Sequence, residues 1–242
     1  MLAIPTPAPA RNSRPVAVAG ASDHREPTTP APAAAPGPRH LGIGVAEALI
    51  NAMEAKDPYL RGHSQRVADV AGAIAETLGL DAATVEDIRL AGRLHDVGKI
   101  GIRESILNKP DVLTPDEIRH VREHVRIGVE ILSPLPSLGP VLQYVHDHHE
   151  RYDGCGYPRG LAGEAISLGG RILAAADAFD ALTSLRAYRD PLSPEACLSR
   201  LAGDAGRALD PRVFAALRHV VAGEAPQRPE PVVARGVYVS IV

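Results

Sequence analysis

Apolar residues return every three to four positions along most of residues 45–223, the period of helices that bury one face. The stretches "VAEALINAMEAKD" (45–57), "HSQRVADVAGAIAETLGL" (63–80) and "AATVEDIRLAGRLHDVG" (82–98) predict three helices. The second stops at Gly–Leu, and Asp81 stands where the third needs an N-cap. "LTPDEIRHVREHVRIGVEILS" (113–133) predicts a fourth, opened by Thr114, Pro115 and Glu117. That is a capping box with proline at the first helical position. "LGPVLQYVHDHHE" (138–150) predicts a fifth. "GGRILAAADAFDALTS" (169–184) is apolar nearly all round, which predicts a central sixth helix. "SPEACLSRLAGDAGRAL" (193–209) and "DPRVFAALRHVVAG" (210–223) each open with a capping residue and a proline. No run alternates with period two between turn signals. The pattern therefore predicts an all-α helical bundle with long loops at 99–113 and 151–168.

The ends read differently. Residues 1–39 are rich in proline and alanine and keep no apolar period, so they are expected to be disordered. Residues 40–223 form the expected structured domain. Residues 224–242 form a proline-broken tail, in which "GVYVSIV" reads as a short edge strand or a docking segment.

Composition narrows the function classes. A chain of 242 residues with 45% hydrophobic content can bury one ordinary core. The net charge is −3 and no basic run occurs, so nucleic acid is not expected as a partner. Cys155 and Cys197 form no CxxC pair, which excludes thiolate-bound zinc and a disulfide framework. No stretch approaches about 18 uncharged apolar residues, so no membrane span is expected. The N-terminus lacks a signal-peptide pattern, and a cytoplasmic protein is the expectation. Lysine occurs only at 56, 99 and 109 among many arginines. That scarcity draws attention to Lys99, which lies in "LHDVGKIGI" (94–102).

Eight of the ten histidines lie within 41–223. His63 opens the second predicted helix. His95 and Asp96 close the third, followed by Gly98. His124 lies midway through the fourth, and His148 and His149 end the fifth, before Glu150. Asp177 interrupts the apolar sixth, with Asp180 one turn later. Taken singly, each is an ordinary surface or satisfied core residue, and His40, His120, His146 and His219 keep that reading. Taken together, the pattern differs. A lone carboxylate in "ILAAADAFDAL" is disfavoured unless it is paired or metal-bound. Five imidazoles and two carboxylates on five helices can converge in a bundle core, as in other helical metal sites. Nitrogen and oxygen donors without thiolate suit Fe, Mn or Zn. Seven protein ligands exceed one six-coordinate ion, and two ions form a clamp for displacement at phosphorus, with a bridging water as nucleophile.

These residues stand in stretches that together resemble the HD-GYP domain, a subgroup of the HD phosphohydrolase superfamily. The matching stretches are "KDPYLRGHSQRVA" (56–68), "AGRLHDVGKIGI" (91–102), "ILNKPDVLTPDE" (106–117), "HVRIG" (124–128), "HHERYDGCGYPRGL" (148–161), "RILAAADAFDALTSLRAYR" (171–189) and "ALDPRV" (208–213). The resemblance covers about residues 45–220. It implies an HD-type bundle that hydrolyses cyclic di-GMP, to pGpG and/or GMP, with a metal centre in its core. By position it assigns the metal ligands to His63, His95, Asp96, His124, His148, His149 and Asp177, with Asp96 bridging. Lys99 would hold a phosphate oxygen or the bridging hydroxide. Arg186 and Arg189 would hold phosphates or guanines, and Tyr157 would line the substrate cleft. Some family members hold a third metal through a glutamate where Tyr59 stands here, so two divalent ions, Fe or Mn, are expected. Leu60 and Asp111 also depart from the usual residues, and so does Cys155 within "DGCGYP"; none is a ligand position. Most members carry a sensory domain, and none is expected in these residues. A diguanylate-cyclase-domain protein is an expected partner of the GYP loop, and a homodimer is left open. Two other functions stay open as well. One is hydrolysis of another cyclic dinucleotide or nucleotide phosphoester, and the other is a non-catalytic binding or interaction module.

Overall fold

A computed structural model describes residues 44–45, 47–52, 62–109, 111–185 and 190–223. The expectations for 1–39 and 224–242, and for Tyr59, Leu60, Arg186 and Arg189, lie outside the described residues. Within them, helical residues 47–52 precede nine α-helices. These are α1 (His63–Thr77), α2 (Ala82–Leu94), α3 (Glu104–Leu107), α4 (Pro115–Arg122), α5 (His124–Leu132), α6 (Val141–Asp147), α7 (Leu168–Thr183), α8 (Pro194–Leu201) and α9 (Pro211–Ala222). Among the described residues the fold is helical, with only the isolated bridges Asp153–Ala162 and Ala205–Leu209. No described helix is long and apolar enough to cross a membrane.

The core follows the apolar period. Val67, Ala71 and Ile74 of α1 meet Val85, Ile88 and Leu94 of α2, all within 5% of full burial. Ile172, Leu173, Ala175 and Ala176 of α7 are fully buried. That helix packs against α1, α2, α6, α8 and α9, the central position its all-round apolarity predicts. Its start is fastened to α9 by the buried pair of Arg171 and Asp210, whose Nη1 and Oδ2 lie 2.5 Å apart. Asp210 also caps α9 through the Arg212 N–H.

The caps stand where the sequence places them. Asp81 accepts from the Thr84 N–H at 3.0 Å. Thr114 and Glu117 form the capping box, and Ser193 caps α8 ahead of Pro194. Helix ends differ more. The predicted helix over 113–133 is two helices, joined at Glu123, and His124 opens the second rather than lying mid-helix. The helix predicted over 82–98 ends at Leu94, and a 3-10 turn, Val97–Gly101, follows. That over 138–150 is α helix only over Val141–Asp147, and that over 193–209 only over Pro194–Leu201.

Both early stops serve the same end. A helix that ends beside an inward-facing histidine lets the following side chain turn to the same region. His95 lies just past α2 and His148 just past α6, each with its successor, Asp96 or His149, beside it.

Candidate metal centre

Three of the histidines are held by the same device. His95 Nδ1 donates to the Gly92 carbonyl at 2.7 Å, His124 Nδ1 to Val121 at 2.7 Å and His148 Nδ1 to Val145 at 2.6 Å. Each acceptor lies three residues back, among the last carbonyls of a helix. His63 Nδ1 donates instead to the carboxylate of Asp180, at 2.7 Å. Fixing Nδ1–H makes Nε2 the free electron pair of each ring. The Nε2 atoms of His95, His124 and His148 are buried and make no hydrogen bond.

The rings stand edge to face around one point. His63 and His95 are 5.2 Å apart between centroids, His95 and His148 5.2 Å, and His124 and His149 5.0 Å. The donor atoms fall into two groups, His63–His95–Asp177 and His124–His148–His149, each spanning no more than 4.8 Å. Asp96 stands between them. Its Oδ2 lies 3.4 Å from His95 Nε2 and 3.7 Å from His63 Nε2, while its Oδ1 lies 3.6 Å from His124 Nε2. Such distances are long for hydrogen bonds. They suit two ligands sharing one ion, because donors about 2.1 Å from a metal sit roughly 3.0–3.5 Å apart at adjacent positions.

Protonation agrees with ligation. Burial pushes His124 down, His148 well down and His149 down to about 4, so these rings are neutral near pH 7. Burial opposes ionisation of Asp96, but Lys99 and then His95 outweigh it and hold the carboxyl well below its usual range. Burial likewise pushes His95 down, and the charges of Asp96 and Asp177 outweigh it, raising the ring to about 9. That proton answers the local carboxylates and is what a divalent cation would displace. Orphaned buried nitrogens, neutral imidazoles and a carboxylate facing two ways fit a pair of divalent ions.

Around this centre the loop 150–167 is pinned from below. Glu150, 3% exposed, accepts from the N–H groups of Arg159 at 2.7 Å and Leu161 at 3.0 Å. Asp147, fully buried, accepts from the Ser167 N–H at 2.9 Å and from the Arg159 guanidinium. A Cβ at Gly156 would come within 2.3 Å of the Arg151 nitrogen, so the loop needs glycine to close on the end of α6. The result is a fixed Tyr157, stacked on His149 at 4.8 Å and 27°. Arg122 lies over the Tyr157 ring, 4.8 Å from its centroid. Glu150→Ala leaves two N–H groups without their acceptor. It is expected to lower unfolding free energy by about 2 kcal/mol in denaturant titrations.

The structure brings together His63, His95, Asp96, Lys99, His124, His148, His149, Tyr157 and Asp177. Lys99 Nζ lies 2.5 Å from Asp96 Oδ2. His120 and His146 stay outside the cluster and His219 lies on α9. Cys155 is exposed. One sequence expectation shifts: the closed carboxylate of α7 is Asp180, with a side chain 4% exposed, whereas Asp177 is 25% exposed. Sequence reading gave no role to Asp180, Arg66, Arg122, Asp147 or Glu150. For Asp180 a signal existed in its i+3 spacing from Asp177, which puts both on one face. Its partner, 117 residues away, leaves no local trace.

Known proteins place the chain. The sequence matches the family described as HD domain over residues 47–213. The "Cyclic di-GMP phosphodiesterase response regulator RpfG" of Xanthomonas campestris pv. campestris is 45% identical over 173 residues, 70% of this chain and 45% of that protein. The "3'3'-cGAMP-specific phosphodiesterase 3" of Vibrio cholerae is 39% identical over 189 residues, 76% of this chain and 41% of that protein. The chain thus spans less than half the length of these curated relatives. Among solved structures, the HDG"Y"P protein Bd1817 of Bdellovibrio bacteriovorus shares the fold, with TM-score 0.58 and 18% identity. The match covers 76% of this chain and 62% of that one. With its fold, its paired histidine–aspartate motif and a sequence match over most of the domain, the chain belongs to the HD domain family.

Proposed function

We propose that this chain is a metal-dependent phosphodiesterase that hydrolyses cyclic di-GMP to pGpG, with GMP after a second cut. His63, His95 and Asp177 would hold one divalent ion and His124, His148 and His149 a second, with the Asp96 carboxylate standing between the two groups. Fe or Mn suits these donors. One observation carries the reading: Asp96 turns one oxygen to each group of three while three buried Nε2 atoms make no hydrogen bond. Bound divalent ions supply stabilisation of phosphate charge and lower the pKa of a water molecule toward neutrality.

The protein's own groups do the rest. Lys99 brings a positive charge to the Asp96 oxygen, where a phosphate oxygen of the substrate would meet it. Tyr157 closes one wall of the site, and its position on His149 ties that wall to the metal ligands. Arg186 and Arg189, carried over from the family resemblance, would hold phosphates or guanines. Arg122 adds a cation at the rim that suits a substrate with two phosphodiesters. Arg122→Gln removes this charge and is expected to raise KM about fivefold, with kcat nearly unchanged, as for a rim contact of about 1 kcal/mol. An unchanged KM would remove Arg122 from the substrate site.

The relatives named for cyclic di-GMP and for 3'3'-cGAMP support a cyclic dinucleotide as substrate, and those named for 3'3'-cGAMP favour that molecule as a second reading. Protein reconstituted anaerobically with Fe(II) or Mn(II), then given both cyclic dinucleotides and a mononucleotide ester, separates the cases by product chromatography. Cyclic di-GMP is expected to give pGpG. Hydrolysis of the mononucleotide ester alone would sink the reading, and binding without turnover would leave an interaction module.

A further inference from the structure

Resting on the two-ion reading above, we infer that Asp180 is a positioning residue that makes the His63–His95–Asp177 subsite the tighter of two unequal metal sites. Asp180 lies on α7 one turn beyond Asp177 and is almost fully buried. Its Oδ2 accepts from His63 Nδ1 at 2.7 Å. Its Oδ1 accepts from Arg66 Nε at 2.5 Å and from the Ser184 hydroxyl at 3.0 Å, and Arg66 Nη2 reaches Oδ2 at 3.3 Å. The carboxylate is thus held from α1 and from the end of α7, and it in turn holds the His63 ring with Nε2 facing Asp96 and Asp177.

The second layer differs between the subsites. His95, His124 and His148 are each backed by a peptide carbonyl, and only His63 among these four is backed by a carboxylate. A carboxylate acceptor makes the imidazole a stronger donor to metal and adds charge behind it. The ledger of charge points the same way. Asp96, Asp177 and Asp180 surround the His63 subsite, against the cations Lys99 and Arg66. The other subsite has three imidazoles and one oxygen of Asp96, with Arg122 behind Tyr157. A first divalent ion therefore enters the His63 subsite and a second enters the three-histidine subsite.

Calorimetric titration of the chelator-treated protein with Mn(II) tests this without reference to activity. Wild type is expected to show two sites of distinct affinity. Asp180→Ala is expected to weaken the tighter site about 10–100-fold and leave the weaker one close to wild type. Asp180→Asn keeps an acceptor for His63 without the charge and should fall between them. Arg66→Gln, at a side chain 46% exposed, leaves the His63 contact in place and should weaken the same site less. Thermal unfolding of each apoprotein checks the fold. If Asp180→Ala does not fold, the other two variants decide. Two equal sites in wild type, unchanged affinities in the folded variants, or equal loss at both sites would overturn the inference. Fewer than two sites in wild type would overturn the two-ion reading itself.

Discussion

Asp96→Ala is expected to fold, to hold at most one divalent ion per chain and to lose turnover by about four orders of magnitude or more. The expectation follows from where the two oxygens point. Oδ2 faces His63 and His95 while Oδ1 faces His124, so this one carboxylate presents an oxygen to each group. The core around Asp96 is built from Leu94, Val97 and the other apolar residues of α2 and its neighbours, which the substitution leaves in place. Circular dichroism should therefore match wild type while elemental analysis and product formation do not. Wild-type turnover by the variant would remove the shared carboxylate from the mechanism.

Gly98→Ala is expected to be the most damaging alanine substitution among the described glycines. A Cβ there would lie 1.8 Å from the His124 carbonyl oxygen and 2.5 Å from the Gly128 nitrogen. Both are backbone atoms of α5, which cannot rotate away as a flexible side chain could. The 3-10 turn and α5 would have to separate, costing about 3 kcal/mol or more. The separation would also draw His124 from His95 and Asp96. Denaturant unfolding and metal titration of the same variant check both consequences. Wild-type stability would show that the turn and α5 do not pack this closely.

Gly98 also shows how far the sequence could be read. As a string, "HDVGK" looks like a helix stopped by glycine. In the fold the helix has already ended at Leu94, and Gly98 is needed because His124, far along the chain, presses its carbonyl there. Most of the helices were legible, since their apolar positions recur at helical spacing and the caps at Asp81, Thr114, Ser193 and Asp210 are local chemistry, but α3 stands where the sequence predicts a loop. The break at Glu123 was not legible, because "VREHVRIG" keeps its helical period straight through it. The cluster's members were legible from the company that histidines kept with carboxylates and from the family motifs. Their division into two groups was not, because it depends on which donor atoms from different helices come within reach of one another. The supports were hidden for the same reason. Asp180 reaches His63 across 117 positions, and Glu150 and Asp147 bind N–H groups of a loop that has no apolar period to read.

Anomalous scattering from crystals of Mn(II)-loaded protein would locate the ions directly. Two peaks are expected, one bonded to His63, His95 and Asp177 and the other to His124, His148 and His149, with one oxygen of Asp96 on each. A single peak in fully loaded protein, or an Asp96 bonded to only one ion, would contradict the shared two-ion centre.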